Sequence, residues 1–319
     1  MRPFFENNVL QQQPFKPMII VVDTTKAGSA SNTFVLPIIK DTTETVKIYW
    51  GDSTNSTGVN GNNTHVYAAS GIYTVKIESR LFGGIYFNNL GDKAKITKIA
   101  SYGQGVSRLN IGSFYGCSSL LSIYIGNIVS NGVSASNQYR GCTALTTVPL
   151  LNLSSVTNAI AMFAYCTTLT TVPLFNLSNC TSTQSMFYEC TSLTTVPLFD
   201  LSKVTDASYM FYLCTSLTTV PLFNLSNCTS THSMFRQCTA LTTVPLFDLS
   251  KVTNATSMFL GVTLTTQSYS DFLINLATLP LQSGVSFHGG NSKYNPAAAI
   301  ARAYLVSNFG WTITDGGAA

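Results

Sequence analysis

Eight cysteines, three histidines and thirteen acidic residues are the side chains of this 319-residue chain that could ligate a metal, attack a substrate or move a proton. Zinc chemistry asks for close cysteine pairs such as C-x2-C, and no such pair occurs. Six cysteines (Cys117, Cys142, Cys166, Cys190, Cys214 and Cys238) instead follow one another at 24 or 25 residues. The remaining two, Cys180 and Cys228, fall where Val156, Val204 and Val252 stand in the same phase. A slot that accepts valine or cysteine is small, apolar and buried, and a free thiol fills it as a small hydrophobe. Thiols one period apart would carry parallel Cβ vectors, a poor geometry for a disulfide. Buried thiols are therefore expected, which suits folding in a reducing cytoplasm; disulfides are the alternative.

The other reactive groups give no catalytic pattern. His65, His232 and His288 are far apart in sequence, and no G-x-S-x-G elbow, H-E-x-x-H pair or Walker loop is present. The carboxylates are too few and too periodic to single out a glycosidase pair. Asp52 follows Trp50-Gly51 and reads as a turn residue, as do Asn152, Asn176, Asp200, Asn224 and Asp248, whose side chains can satisfy turn backbone. The expectation is a protein without enzymatic activity, with no catalytic, metal-binding or cofactor-binding residues and no cofactor.

The spacing that disqualifies the cysteines as a metal site defines the architecture. Val-Pro pairs at Val148, Val172, Val196, Val220 and Val244 and Met-Phe pairs at Met162, Met186, Met210, Met234 and Met258 all advance by 24 residues, in register with the cysteines. Degenerate copies extend upstream through Leu120 and Ile96, so about seven coils span residues 96–266. A single unit of this length cannot bury its own apolar side; neighbours must stack into one continuous core. Residues 193–196 (LTTV) alternate like a short strand and Pro197 ends it, since proline cannot donate to a ladder. Parallel stacking at about 4.8 Å per coil predicts a rod roughly 35 Å long.

The string LFDLSKVTDASYMFYLCTSLTTVP resembles the BspA-like leucine-rich-repeat surface proteins, whose units combine Leu-Ser, Met-Phe, Cys and Leu in this order. That resemblance covers about half the chain. It implies roles in adhesion and host-surface binding, on bacteria or as phage-encoded proteins, and it implies no catalytic residue. Trp50-Gly51-Asp52, His65-Val66-Tyr67 and Gly71-Ile72-Tyr73-Thr74-Val75 resemble the W-G-D…H-x-Y…G-x-Y-x-V signature of PKD-type domains, which are Ig-like sandwiches, although Ser53 replaces the usual glycine.

The expected fold class is mainly β. Residues 1–17 form an N-terminal arm, a frayed end or a docking segment. Residues 18–90 form an Ig/PKD-like β-sandwich, residues 91–266 a leucine-rich-repeat solenoid of 24-residue units, and residues 267–319 an α+β C-terminal cap. In the cap, residues 268–281 and the stretch from Asn295-Pro296 to Gly310 pattern as helices, and residues 311–314 as a closing strand.

Positions that vary inside a strict repeat are not dictated by stacking and are free to make contacts. Tyr165, Tyr188, Tyr209, Tyr212, His232 and Arg236 occupy such positions and form the candidate binding face, tyrosine and arginine being favoured in binding hot spots. Charged residues make up 9% of the chain, against about 25% in an average domain. The net charge of +4 is dispersed rather than striped, which argues against nucleic acid as a partner. No apolar run is long enough for membrane insertion, and residues 1–17 lack the basic start and apolar run of a secretion signal, so the expectation is either that a signal has been removed or that this export route is not used. The expected partners are a host-surface glycan or protein, and other virion subunits through the arm or the PKD-like domain; a homo-oligomer stays open. Three readings follow: a bacteriophage virion surface protein of tail or capsid, a bacterial cell-surface adhesin of the BspA-like family, or a purely architectural virion decoration protein.

Overall fold

A computed structural model describes residues 16–40, 43–79, 83–102, 113–123 and 134–319. The expected N-terminal arm lies outside the described residues except for Lys16 and Pro17. The chain is mainly β with two helices and no closed barrel.

Alternating burial builds the N-terminal sheets. β1 (Met18–Asp23), β2 (Thr33–Ile39), β3 (Val46–Tyr49) and β6 (Ile72–Glu78) bury alternate residues, among them Ile20, Val22, Phe34, Leu36, Ile48 and Val75. With β4 (Asn55–Gly58), β8 (Ile96–Tyr102) and β9 (Ser122–Ile123), three of these strands form a six-stranded sheet in the order β4-β3-β6-β1-β8-β9. β5 (Gly61–Val66), β2 and β7 (Gly84–Ile85) make a three-stranded partner. β8 pairs antiparallel with β1 on one side and parallel with β9 on the other. The sequence expectation of a boundary near residue 90 therefore falls inside a continuous hydrogen-bonded body.

A buried ion pair closes this junction. Lys95 is fully buried, and its Nζ donates to the carbonyls of Ser29, Ala30 and Thr33 at 2.6–3.0 Å and to Ser29 Oγ. Asp92, 3.7 Å from Lys95, accepts from the Ser29 and Val35 amides and the Ser29 hydroxyl. Two residues that open the first coil thus hold the loop between β1 and β2.

From residue 134 onward the 24-residue period becomes a stack of coils. On one wall of each coil, alternate amides leave for the next coil. The amides of Ala159, Ala161, Phe163 and Tyr165 donate to the carbonyls of Ser182, Gln184, Met186 and Tyr188 at 2.7–3.0 Å. The intervening amides of Met162, Ala164 and Cys166 fold back to the residue three earlier. Every amide from 161 to 166 is thereby paired. The pattern requires left-handed backbone twice per coil, at Ala161, Ser185, Tyr209, Ser233 and Ser257, and again at Tyr165, Glu189, Leu213 and Gln237. For non-glycine residues each costs about 1–2 kcal/mol, offset here by ladder bonds and burial. Gly116, Gly141 and Gly261 occupy the second of these columns in the outer coils.

The opposite wall departs from the strand expected at residues 193–196. It carries one backbone bond per junction there, Thr194 N to Thr170 O at 3.1 Å, reinforced by the Thr194 hydroxyl on the same carbonyl. Pro197 supplies no amide, so the ladder does not extend into a strand.

Two phenylalanine columns fill the interior. Phe163, Phe187, Phe211, Phe235 and Phe259 stack at 5.6–5.8 Å and continue upstream into Tyr139 and Phe114. Phe175, Phe199, Phe223 and Phe247 stack beside them from the other wall. All eight cysteines are free and buried. Each Sγ from Cys142 to Cys238 in the main column donates to a carbonyl one coil back, as Cys190 does to Phe163 O at 3.1 Å. The Asn and Asp turn residues behave as expected: each Oδ1 accepts from the serine amide two residues on, at 2.9–3.2 Å.

The last coil is covered by α1 (Thr266–Leu276), β10 (Ser286–His288), α2 (Pro296–Phe309) and β11 (Thr312–Thr314). Asn295 caps α2 through its Oδ1, and Gly310 ends it at φ 66°. Phe259 N donates to His288 O and Gly289 N to Thr314 O, so the coil ladder runs on through two further rungs.

Two outcomes test this account. Lys95→Met strips Asp92 of its counter-charge and removes the ammonium bonds to three carbonyls, of which Ala30 O and Thr33 O keep the Thr33 amide and the Ser29 hydroxyl, so urea unfolding followed by tryptophan fluorescence should show a loss of about 3–5 kcal/mol. The thiols give a pH dependence. Burial pushes the Cys166 thiol up to about 12, whereas an unfolded thiol titrates near 8.5. Above about pH 9 the unfolded chain sheds a proton that the folded chain keeps, so stability falls with rising pH, by up to about 1.4 kcal/mol per pH unit per thiol. Cys166→Val should remove one such share from the alkaline slope of the urea midpoint while leaving the slope near neutrality unchanged.

Candidate binding face

The wall that carries the dense ladder also carries the variable residues. Both residues of each Met-Phe pair are buried, whereas the residues that follow Phe187, Phe211 and Phe235, namely Tyr188, Tyr212 and Arg236, are half-buried on the outer side; in the coil of Phe163 that position holds the small, buried Ala164. Because the backbone repeats at each coil, so does the position of the outer side chain, and these residues line up along the axis.

All six residues expected from the sequence come together. Tyr165 lies 5.2 Å from Tyr188, which stacks on Tyr212 at 4.6 Å and 9°. The Arg236 guanidinium covers the other side of Tyr212 at 5.6 Å. Tyr209 packs edge-on to Tyr212 at 6.0 Å and to His232 at 4.8 Å, and its hydroxyl shares a 2.7 Å hydrogen bond with His232 Nε2. Each of the six is half-buried.

The ribbon runs further than the sequence reading takes it. Arg140 lies over Tyr165 at 5.1 Å on one side and over Tyr115 at 5.2 Å on the other. Tyr115 and Arg140 follow Phe114 and Tyr139, so they hold the column position of Tyr188, Tyr212 and Arg236 in the two degenerate coils. Aligning those coils on their aromatic residue would have found them. Where this column holds only Ala164, Tyr165 from the adjacent position fills the gap. The result is an unbroken row: Tyr115, Arg140, Tyr165, Tyr188, Tyr212, Arg236.

Stacking hides the ring faces and leaves edges, hydroxyls and guanidinium groups outward. Burial in the row, and then the neighbouring Tyr165 and Tyr212, push the Tyr188 phenol up, so it is a neutral donor and acceptor at physiological pH. Among the described residues neither Arg140 nor Arg236 has a carboxylate partner, and the Nε of each is buried without a hydrogen bond, as is His232 Nδ1. The row can therefore offer hydrogen bonds and two positive charges to a ligand lying along the coil axis.

The other titratable clusters are tied into the fold. His65 Nε2 bonds Asp52 Oδ2 at 2.7 Å and stacks on Trp50 at 4.8 Å, while Tyr67 donates to the Trp50 carbonyl. Burial raises the Asp52 pKa, but hydrogen bonds from Thr54 and His65 outweigh it and hold the carboxyl at about 2. His288 Nδ1 accepts from the Gly290 amide. Arg302 and Tyr269 both donate to Asp315, closing the cap. Among the described residues no three His, Cys, Asp or Glu side chains are grouped to hold a metal ion.

Residues 129–243 and 157–272 match the family described as Mycoplasma protein of unknown function, DUF285. The coil array is similar to that family. The two overlapping matches cover less than half of the chain and include every ribbon residue except Tyr115. Neither a curated protein nor a solved structure shows a significant match to the chain.

The geometry separates the ribbon from the core beneath it. Phe187→Ala should cost about 3–5 kcal/mol, as expected for a buried aromatic. Tyr188→Ala, one residue on, should cost about 1 kcal/mol, the value of an aromatic pair contact. Urea unfolding of the two variants measures the difference.

Proposed function

We propose that this chain is a non-enzymatic display protein in which a BspA-like leucine-rich-repeat solenoid stands on an N-terminal PKD-like sandwich. In this reading it sits on the surface of a bacteriophage virion, on tail or capsid, and presents the tyrosine–arginine ribbon to a glycan or protein of the host surface. The observation that carries the reading is the ribbon itself. Six contiguous half-buried Tyr and Arg side chains occupy positions where the repeat leaves the residue free. Binding hot spots favour these residue types, partly desolvated and clustered.

A bacterial cell-surface adhesin is the second reading, and one observation favours it: the family matched by the coils is described from Mycoplasma. The PKD-like resemblance at Trp50, His65 and Tyr67 fits a spacer module in either setting.

Immunogold labelling of purified particles beside uninfected cells of the source culture, read by electron microscopy, separates the two. Label on particles supports the virion reading, and label on cells alone leaves the adhesin. Binding of the fluorescent full chain to host cells then tests the ribbon. The Tyr188→Ala, Tyr212→Ala, Arg236→Ala triple variant should lose at least tenfold in cell-bound signal, about 1.4 kcal/mol or more. Unchanged binding would remove the ribbon from the function, and particles labelled by a chain that binds no cell would mark an architectural decoration protein.

A further inference from the structure

The wall opposite the ribbon carries a second feature. All five clean coils contain the string T-T-V-P-L, at residues 146–150, 170–174, 194–198, 218–222 and 242–246. Its valine is buried, and both threonines are exposed. Its leucine points outward: Leu150, Leu174, Leu198, Leu222 and Leu246 are 57, 58, 57, 56 and 47% exposed. The residue after each leucine, Leu151 in the first of these coils and phenylalanine in the other four, already fills the core, so stacking does not need the outward leucine. A solvent-facing leucine repeated in every coil forms one apolar ridge along the axis.

Among the described residues no charge falls within the T-T-V-P-L strip between its two ends, Asp200 and Asp248 lying two residues beyond the leucines. At the head, the exposed Lys98 on β8 opens the column of the second threonine, pairing with Ser122 one coil on; it shares a shallow hollow with Leu121, Ile72 and the Asp23–Lys26 ion pair, whose charges offset each other and leave Lys98 as the net charge there. At the tail, the exposed Asp271 on α1 shares a hollow with Leu246 and Ile274. The wall thus ends in a positive charge at one extreme and a negative charge at the other.

We propose that this wall pairs with the same wall of a second copy of the chain, the two coil axes antiparallel about a two-fold. Seven coil steps of about 4.8 Å by five residues of about 3.3 Å give a face roughly 34 Å by 16 Å. That is about 540 Å² per partner and about 1,100 Å² in all, at the small end of specific interfaces but above the roughly 1,000 Å² that such an interface should clear. The size and continuity of the apolar ridge are those of a contact surface rather than of scattered surface leucines. A uniform ladder cannot choose its own register, because a shift by one coil restores every contact except those at the ends. The end charges make that choice. Antiparallel pairing brings Lys98 against Asp271 of the partner subunit at both ends, whereas parallel pairing sets like against like. The two-fold then falls between Leu174 and Leu198. Because ribbon and ridge lie on opposite walls, the pair would hold two ribbons outward, a bivalent arrangement.

Sedimentation velocity of the full chain at micromolar concentrations tests this. A dimer is expected for the wild type and a monomer for Leu174→Glu, Leu198→Glu, with circular dichroism verifying that the variant is folded, as exposed positions allow. Lys98→Glu and Asp271→Lys alone should each weaken the dimer at least tenfold in Kd, and the double swap should restore it. A monomeric wild type would overturn the proposal, and its leucine-dependent retention on neutral phosphatidylcholine vesicles would assign the ridge to lipid. A dimer indifferent to the leucine substitutions would overturn the choice of wall. Failure of the double swap to restore the dimer would overturn the antiparallel register.

Discussion

The coil-to-coil backbone ladder is the constraint on which the rest of this protein depends. Alternate amides on one wall bond forward to the next coil, and those between them bond back three residues within their own coil. That arrangement exists only because two residues per coil accept left-handed backbone, at φ 52–63° in the clean coils where no glycine serves. Once it is set, every side chain at a given position of the repeat superposes on its counterpart one step along. The phenylalanine columns, the thiol column and the outer tyrosine–arginine row are consequences of one backbone decision repeated. That column is aromatic in every described coil from Phe114 to Phe259, and its one hydroxyl, on Tyr139 near the head, is buried and partnered by the Tyr102 hydroxyl, as a buried polar group must be.

Such a stack has two ends, each of which would expose core if left bare. The protein closes them differently. At the head, β8 lies between β1 and β9, so the N-terminal sheet itself is the first layer, and the buried Lys95–Asp92 pair pins the loop at Ser29 across the joint. At the tail, β10 and β11 continue the hydrogen-bond ladder while Phe272, Phe287 and Trp311 turn the aromatic column aside by edge-on and tilted contacts. Change of ring geometry at that point ends the repeat, because an edge-on ring offers no equivalent face for another coil.

The two walls divide the labour. The dense ladder stands under the variable wall, so residues there can change without loosening the stack. The proline wall has at most a single backbone bond at each of these junctions and a constant sequence. Charge is scarce throughout, and hydroxyl and amide groups do much of the work of solubility and of turn closure, as the Asn and Asp turns do at the foot of each coil.

Much was legible beforehand. The 24-residue register of Cys, Val-Pro and Met-Phe determined which residues superpose from one period to the next, the burial of the thiols and the role of Asn152 and its counterparts, while local patterning gave the two cap helices, with Asn295 and Gly310 at the ends of one. It also picked out the variable positions that assemble into the ribbon, since a strict period makes chain position equivalent to place in space. What the period could not express was decided by tertiary structure. Tyr115 and Arg140 lie in degenerate coils where the register is blurred, and the packing of Arg140 between Tyr115 and Tyr165 shows that they extend the row. The strand expected at residues 193–196 yields to Pro197, whose missing amide limits that wall to one bond per junction. The union of the two N-terminal regions in one sheet, and the Lys95 clip that seals it, depend on contacts between residues more than sixty apart with no repeat to announce them. Periodicity reports neighbours one coil away; a contact made once in the molecule has no period to be read.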